Sequence, residues 1–239
     1  MNNLPFKSKL ESDHERYYFI LGKTLFVRTP KCGSSSLIAS FNLLNLVAEL
    51  NNRPRDGWGP NSPAVPLSEA LESADHITTA IVITRNPFDR LVSCYRDRIC
   101  HRGASFPINE LKRFKSSFLG FAEAISELPE EKSDQHFRSQ FTFLQGIPKN
   151  INLISNDLYT MQDRWDEIKE AVDLTCYSEE KQEHIKKQFS NQFRNDKVSL
   201  LLPMHKKKLD YRRYYTDKEV LQMVEQRYHL DLERFGYEF

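Results

Sequence analysis

The chain reads as an α/β protein with a P-loop-like central parallel sheet flanked by helices and a mostly helical second half. Three observations predict this. A short apolar run at 24–27 passes through PKCGSSS, residues 30–36, into an amphipathic helical pattern. A continuous apolar and β-branched run, TAIVIT at 79–84, passes through RNP into a second one. Beyond residue 114 the apolar positions recur chiefly at helical spacing. A run apolar on every position suits a strand covered on both faces, and parallel strands need helical crossovers, right-handed by the general rule.

The elements follow in order. Tyr17 to Val27, YYFILGKTLFV, predicts one or two strands. Leu37, Ile38, Phe41, Leu44, Leu46, Val47 and Leu50 predict one helix over 35–50. The segment 51–67, with four prolines and two glycines, predicts a long loop of the kind that often binds. A short helix over 68–74 and the strand 79–84 come next. Asn86 is a suitable N-cap and Pro87 fits the first helical position, where its missing N–H costs nothing. Further helices are expected at 114–128, 160–172, 178–193 and 216–228, with a strand at 151–155. Thr216 and Glu219 have the spacing of a capping box.

With 239 residues and 28.1 kDa, the chain is long enough to bury a sizeable core, and residues 1–239 are expected to form a single domain. A net charge of +1 argues against a general polyanion coat and so against nucleic acid as a partner; an anion site must be local. No apolar run reaches the ~18 to 20 residues needed to span a bilayer. The stretch MNNLPFKSKLESDHERYYF lacks the apolar region of a signal peptide. Cys32, Cys94, Cys100 and Cys176 make no C-x-x-C pair and no metal-ligand spacing with histidine, which suits reduced thiols in a cytoplasm.

Both strand-to-helix turns are chemically marked. A helix N-terminus offers unpaired N–H groups and the positive end of its dipole. In PKCGSSS, Gly33 permits close backbone approach, Ser34 and Ser35 add hydroxyls, and Lys31 supplies a full charge. At the second turn Arg85 ends the strand, and Arg90, Ser93 and Asp97 share one helical face at spacings of three and four. Two adjacent strands ending in such turns suit a ligand with two separated anionic groups, at the carboxyl edge where open α/β sheets bind. A nucleoside triphosphate fits poorly. A Walker A loop places its lysine after a second glycine, whereas Lys31 precedes Gly33, and TAIVIT ends in Arg85 rather than in an aspartate that could hold magnesium. No metal is expected.

These residues resemble a known family. PKCGSSSL is similar to the 5′-phosphosulfate loop, and RNPFDRLVSCYRDR to the 3′-phosphate motif, of sulfotransferases that use 3′-phosphoadenosine 5′-phosphosulfate (PAPS). The pattern R-x-P-x-x-R-L-x-S-x-Y-R is closest to the carbohydrate branch, which includes the chondroitin 4-O and heparan 2-O enzymes. The resemblance continues in DQHFRSQ, 134–140, and in YYTDKEVLQMVEQRYHLDLERFGYEF at the C-terminus. It implies that Lys31, Cys32, Gly33, Ser34, Ser35 and Ser36 line the 5′-phosphosulfate, that Arg85 and Ser93 hold the 3′-phosphate, and that PAP is the product. It also implies transfer to a hydroxyl of a saccharide or glycoconjugate, with Lys31 as one catalytic residue.

His136 is the preferred general base, because it lies in the matching DQHFRSQ segment and imidazole titrates near neutral pH. His101 and Asp134 are the alternatives. In the basic run MHKKKLDYRRYY, 204–215, Lys206, Lys207 or Lys208 is expected near phosphate as part of a lid. Carbohydrate relatives in the Golgi carry a membrane anchor and lumenal disulfides, so a cytoplasmic bacterial enzyme fits better, with an excised lumenal domain as the alternative. A P-loop-type kinase and a non-catalytic module for sulfated polyanions are the competing functions.

Overall fold

The structure is a computed structural model that describes residues 16–51, 62–72, 76–101, 111, 113–193 and 210–239. The chain divides into two compact units, the described parts of Met1–Thr29, Gly33–Ile83 and Phe143–Leu202 forming one, and those of Pro30–Cys32, Thr84–Thr142 and Pro203–Phe239 the other.

The first unit carries a four-stranded sheet in the order β1 (Tyr18–Leu21), β2 (Thr24–Val27), β3 (Thr79–Thr84), β4 (Asn152–Asp157). β1 and β2 form an antiparallel hairpin, Tyr18 opposite Val27 and Leu21 opposite Thr24. Its turn needs Gly22, whose φ is +62° and where a Cβ would sit 2.4 Å from the carbonyl oxygen of Asp173. β2 and β3 are parallel, Thr24 opposite Thr79 and Val27 opposite Val82. The expected parallel pair is present, and the sheet as a whole is mixed because β1 runs against β2. The predicted loop 51–67 ends by bridging back to β1, Val65 exchanging both backbone hydrogen bonds with Tyr18 at 2.7 and 3.2 Å.

The single helix expected over 35–50 is two, α1 (Ser34–Ser40) and α2 (Leu43–Leu50). Phe41 leaves the helix to enter an aromatic cluster with Phe26, Trp165 and Phe189, with ring centroids 4.7–4.9 Å away. Asn42 then turns with φ +53°, a conformation that asparagine tolerates better than most side chains. The break shifts the helical phase, so Leu43 is buried and Leu44 only half-buried. The short helix α3 (Leu67–Glu72) falls close to its expected place. The helix expected over 160–172 is shortened to α6 (Trp165–Glu170), because the residues before it are held in turns that begin with the Asp157 carboxylate accepting the Tyr159 N–H at 2.8 Å. α7 (Glu179–Lys187) is capped by Ser178 and ends well before 193.

In the second unit, α4 (Pro87–Cys94) starts as expected, Asn86 accepting the Phe88 N–H at 3.0 Å with Pro87 at the first position. At Tyr95 it widens into a π-helix over Tyr95–His101, which helical spacing does not foresee. α5 (Phe118–Glu127) begins at its Ser117 cap rather than at 114. α8 (Lys218–Arg227) is capped by Asp217, which accepts the Glu219 N–H at 2.8 Å, so the Thr216–Glu219 box does not form. α9 (His229–Phe235) follows. Phe88, Leu91, Phe118, Phe121, Phe137, Val224 and Tyr228 pack as one buried cluster of this unit. Among the described residues no helix is long and apolar enough to cross a membrane.

Candidate active site

Pro30–Cys32 of the first marked turn and the whole of the second lie in the second unit. Lys31 adopts φ +68°, an uncommon conformation for a side chain of its size and a form of strain that concentrates at functional sites. Its carbonyl oxygen accepts a hydrogen bond from Arg85 Nη1 at 3.1 Å. Arg85 also grips Asp89 with two bonds, Nε to Oδ2 at 2.9 Å and Nη2 to Oδ1 at 3.0 Å, so its planar fork is fixed in orientation. Ser93 lies buried two turns further along α4.

Gln140, which the sequence did not single out, spans both turns. Its Oε1 accepts from the Arg85 backbone N–H at 2.9 Å and from the Cys32 thiol at 3.0 Å. Its Nε2 donates to the Arg85 carbonyl at 2.8 Å and to Asp231 at 3.2 Å. Asp231, fully buried on α9, further accepts the backbone N–H groups of Gln140 and Phe141 at 2.8 and 2.7 Å and the Ser139 hydroxyl at 2.5 Å. Cys32 is therefore a packed strut of the loop, and its fully buried thiol is placed for support rather than for attack.

Arg90 is the second unforeseen strut. Only 1% exposed, it donates to the carbonyls of Pro30 at 2.9 Å, Arg138 at 2.6 Å and Gln135 at 3.3 Å. It pins the residue before Lys31 and the segment around His136 to the same helix. Although it shares a helical face with Ser93 and Asp97 by spacing, its guanidinium is buried among carbonyls and satisfied by them.

Lys31 Nζ pairs with Asp97 Oδ2 at 2.9 Å. The same carboxylate oxygen is 3.7 Å from Arg98 Nε, and Arg98 Nη2 meets His136 Nε2 at 2.5 Å. The other ring nitrogen, His136 Nδ1, is 2.5 Å from Asp134 Oδ1. Lysine and histidine, expected to act together, stand at two ends of one polar chain. Burial lowers the His136 pKa from its ordinary value, the Arg98 and Lys31 charges add to this, and Asp134 opposes without reversing it. Burial raises the Asp134 carboxyl, but its contacts with His136 and the Arg98 charge outweigh this and leave it below the usual range. Behind them the Cys94 thiol is pushed up to about 12 by burial and stays neutral.

Gly33 and the three serines belong to the first unit. Gly33 has φ +79° and its carbonyl accepts the N–H groups of Ser36 and Leu37 at 2.9 and 3.1 Å, so the N–H groups of Ser34 and Ser35 have no acceptor inside the helix. Ser34 and Ser36 are buried and Ser35 exposed. The Ser36 hydroxyl has no hydrogen-bond partner among the described residues. A buried hydroxyl in that condition fits an anion oxygen as its partner. Lys206, Lys207 and Lys208 lie outside the described residues, as does the side chain of His101.

The model of the protein family described as "Sulfotransferase family" matches residues 22–238. The chain belongs to the sulfotransferase family. Comparison with curated proteins and with solved structures gives no match. The matched span takes in both turns and every residue of the polar chain from Lys31 to Asp134, so this sulfotransferase carries the site within its family region. Asp97 was placed on a face with Arg90 and Ser93, but its pairing with Lys31 and the part of Arg98 were not foreseen, because both lie on the π-helix, where a 3.6-residue period no longer says which way a side chain faces. Gln140 was inside the quoted DQHFRSQ segment, and its position there was the one signal available.

Proposed function

We propose that this sulfotransferase moves the sulfuryl group of PAPS to a hydroxyl of a saccharide or glycoconjugate by in-line displacement. The observation that carries the proposal is the tie between the two turns, with Arg85 and Gln140 bonded at once to the strand end and to the Lys31–Cys32 loop. Such bracing suits a donor with two anionic groups a fixed distance apart. PAPS supplies a sulfuryl group on a phosphate leaving group.

Lys31, Gly33, Ser34, Ser35 and Ser36 receive the 5′ end in this reading, and the partnerless Ser36 hydroxyl supports it. Arg85 and Ser93 receive the 3′-phosphate. Lys31 supplies charge where negative charge develops, which is worth most in a site that excludes water. His136 takes the acceptor proton on Nε2, while Asp134 steadies the imidazole through Nδ1. Asp134 is the supporting carboxylate here rather than the base. The saccharide acceptor is supported by the R-N-P-x-x-R-L-x-S-x-Y-R pattern at 85–96. A cytoplasmic setting is supported by the four cysteines, all of them thiols. Lys206 and Lys207 retain their proposed place in a basic lid over the nucleotide.

Thermal unfolding with PAP in EDTA tests the reading. PAP should raise the midpoint without any divalent ion, and magnesium-ATP should do much less. Equal stabilisation by magnesium-ATP would favour the kinase alternative.

A further inference from the structure

The contact between Arg98 and His136 conflicts with the role just given to the histidine. Arginine can only donate, so His136 Nε2 accepts the Arg98 N–H, and the ring proton must reside on Nδ1, facing Asp134. The ring is thereby fixed as the tautomer that a base requires. The lone pair a base would use is also covered, by a guanidinium with 24% of its side chain exposed over a histidine with 9%. A hydroxyl can reach Nε2 only after Arg98 moves.

Asp97 is placed to move it. Asp97 Oδ2 is shared unequally, at 2.9 Å from Lys31 Nζ and 3.7 Å from Arg98 Nε. A carboxylate oxygen engaged by one cation at contact distance holds a second more weakly. If Lys31 turns to an incoming anion, that oxygen becomes available to Arg98 and competes with the imidazole for its guanidinium.

We propose that Arg98 is a positioning residue that masks Nε2 of His136, whose proton Asp134 holds on Nδ1, and that Asp97 withdraws the mask when Lys31 leaves it for the sulfuryl donor. The inference rests on His136 being the base. In chemical terms no bond is made or broken in this step: one ion pair is exchanged for another. The order of events follows, with the base uncovered only when the donor is in place. The groups facing the imidazole are Arg98, Asp134 and Lys31, with the neutral Cys94 thiol beyond them.

Long-range hydrogen–nitrogen NMR of the imidazoles in the full chain tests this directly, the His136 signals being identified by their loss in His136→Gln. Without nucleotide, wild-type His136 should show a protonated Nδ1 and a bare, hydrogen-bonded Nε2, and should titrate below an ordinary histidine. Arg98→Met should raise the pH of that titration and abolish the hydrogen-bonded signature of Nε2 while Asp134 keeps the proton on Nδ1, and Arg98→Lys, which keeps a donor, should restore that signature. Saturating PAP should change the Nε2 signal in wild type and change it much less in Asp97→Asn. A protonated Nε2 in wild type at neutral pH would overturn the proposal even if no variant folds. So would an Arg98→Met protein with wild-type Nε2 signal and titration, or a PAP response in Asp97→Asn equal to that of wild type. Failure of the base assignment looks different: a folded His136→Ala enzyme with full turnover would remove the base and leave these spectra as described.

Discussion

Arg85→Ala should have two separable effects, because Arg85 faces both a buried carboxylate and the proposed phosphate site. Asp89 is fully buried and bound by two guanidinium N–H groups. Removing one partner of such a pair costs ~3–5 kcal/mol, a large part of the ~5–15 kcal/mol that holds a typical domain folded. Removing both partners is far cheaper, since no charge is left stranded. Affinity should behave otherwise. A charged hydrogen bond to the 3′-phosphate is worth ~1.5–3 kcal/mol, so PAP should bind roughly ten- to a hundredfold more weakly in any protein lacking Arg85. Urea unfolding and calorimetric PAP titration of wild type, Arg85→Ala and Arg85→Ala/Asp89→Ala separate the two. The double variant should regain most of the stability and none of the affinity. A single variant as stable as wild type would refute the buried-pair argument. A stable double variant with wild-type PAP affinity would refute the phosphate role.

Lys31→Ala should lower kcat by ~10²–10³ while PAP affinity stays nearly unchanged, which single-turnover kinetics and PAP titration can separate. His136→Gln should lower turnover by ~10²–10⁴ with PAP binding intact. Because His136 binds its proton less readily when folded, wild-type kcat/KM should hold steady below an ordinary imidazole's 6.5 and fall only as the base is protonated at lower pH. The same difference bears on stability, which should be fully present above 6.5 and decline as the pH falls toward the lowered value, as acid titration of the unfolding midpoint can show. Gly33→Ala, at φ +79° and with its Cβ 2.3 Å from the original position of Leu158 Cδ1, should cost ~1–2 kcal/mol in urea unfolding from backbone strain alone.

Local chemistry was legible wherever neighbours in the sequence decide it. TAIVIT needed no tertiary information to be a buried strand, nor did Asn86 and Pro87 to begin a helix. Lys31 and Arg85 could be picked out because they stand next to glycine, serine and strand-end signals. The break at Asn42 was hidden because apolar spacing runs through it almost unchanged, and only the aromatic cluster around Phe41 explains why the helix stops. Arg90, Gln140 and Asp231 act through partners 45 to 108 positions away, and nothing adjacent to them in the chain announces that. Arginine at 90 had the look of a surface charge, and only its three carbonyl acceptors show otherwise.

The π-helix at 95–101 also bears on how the gene could change. A π turn accommodates a residue that an α-helix would not, so loss of one codon there could heal the helix into ordinary geometry instead of breaking it. The helix beyond would keep roughly its phase, because the wider turn is what absorbed the extra residue, but the side chains within the turn would be re-aimed. Asp97 and Arg98 would then no longer face Lys31 and His136, although helix and core survived. Exchanges of single amino acids along this stretch leave the backbone path in place. Its history is therefore expected to record substitutions only where side chains face neither the core nor Lys31 and His136, and length changes hardly at all.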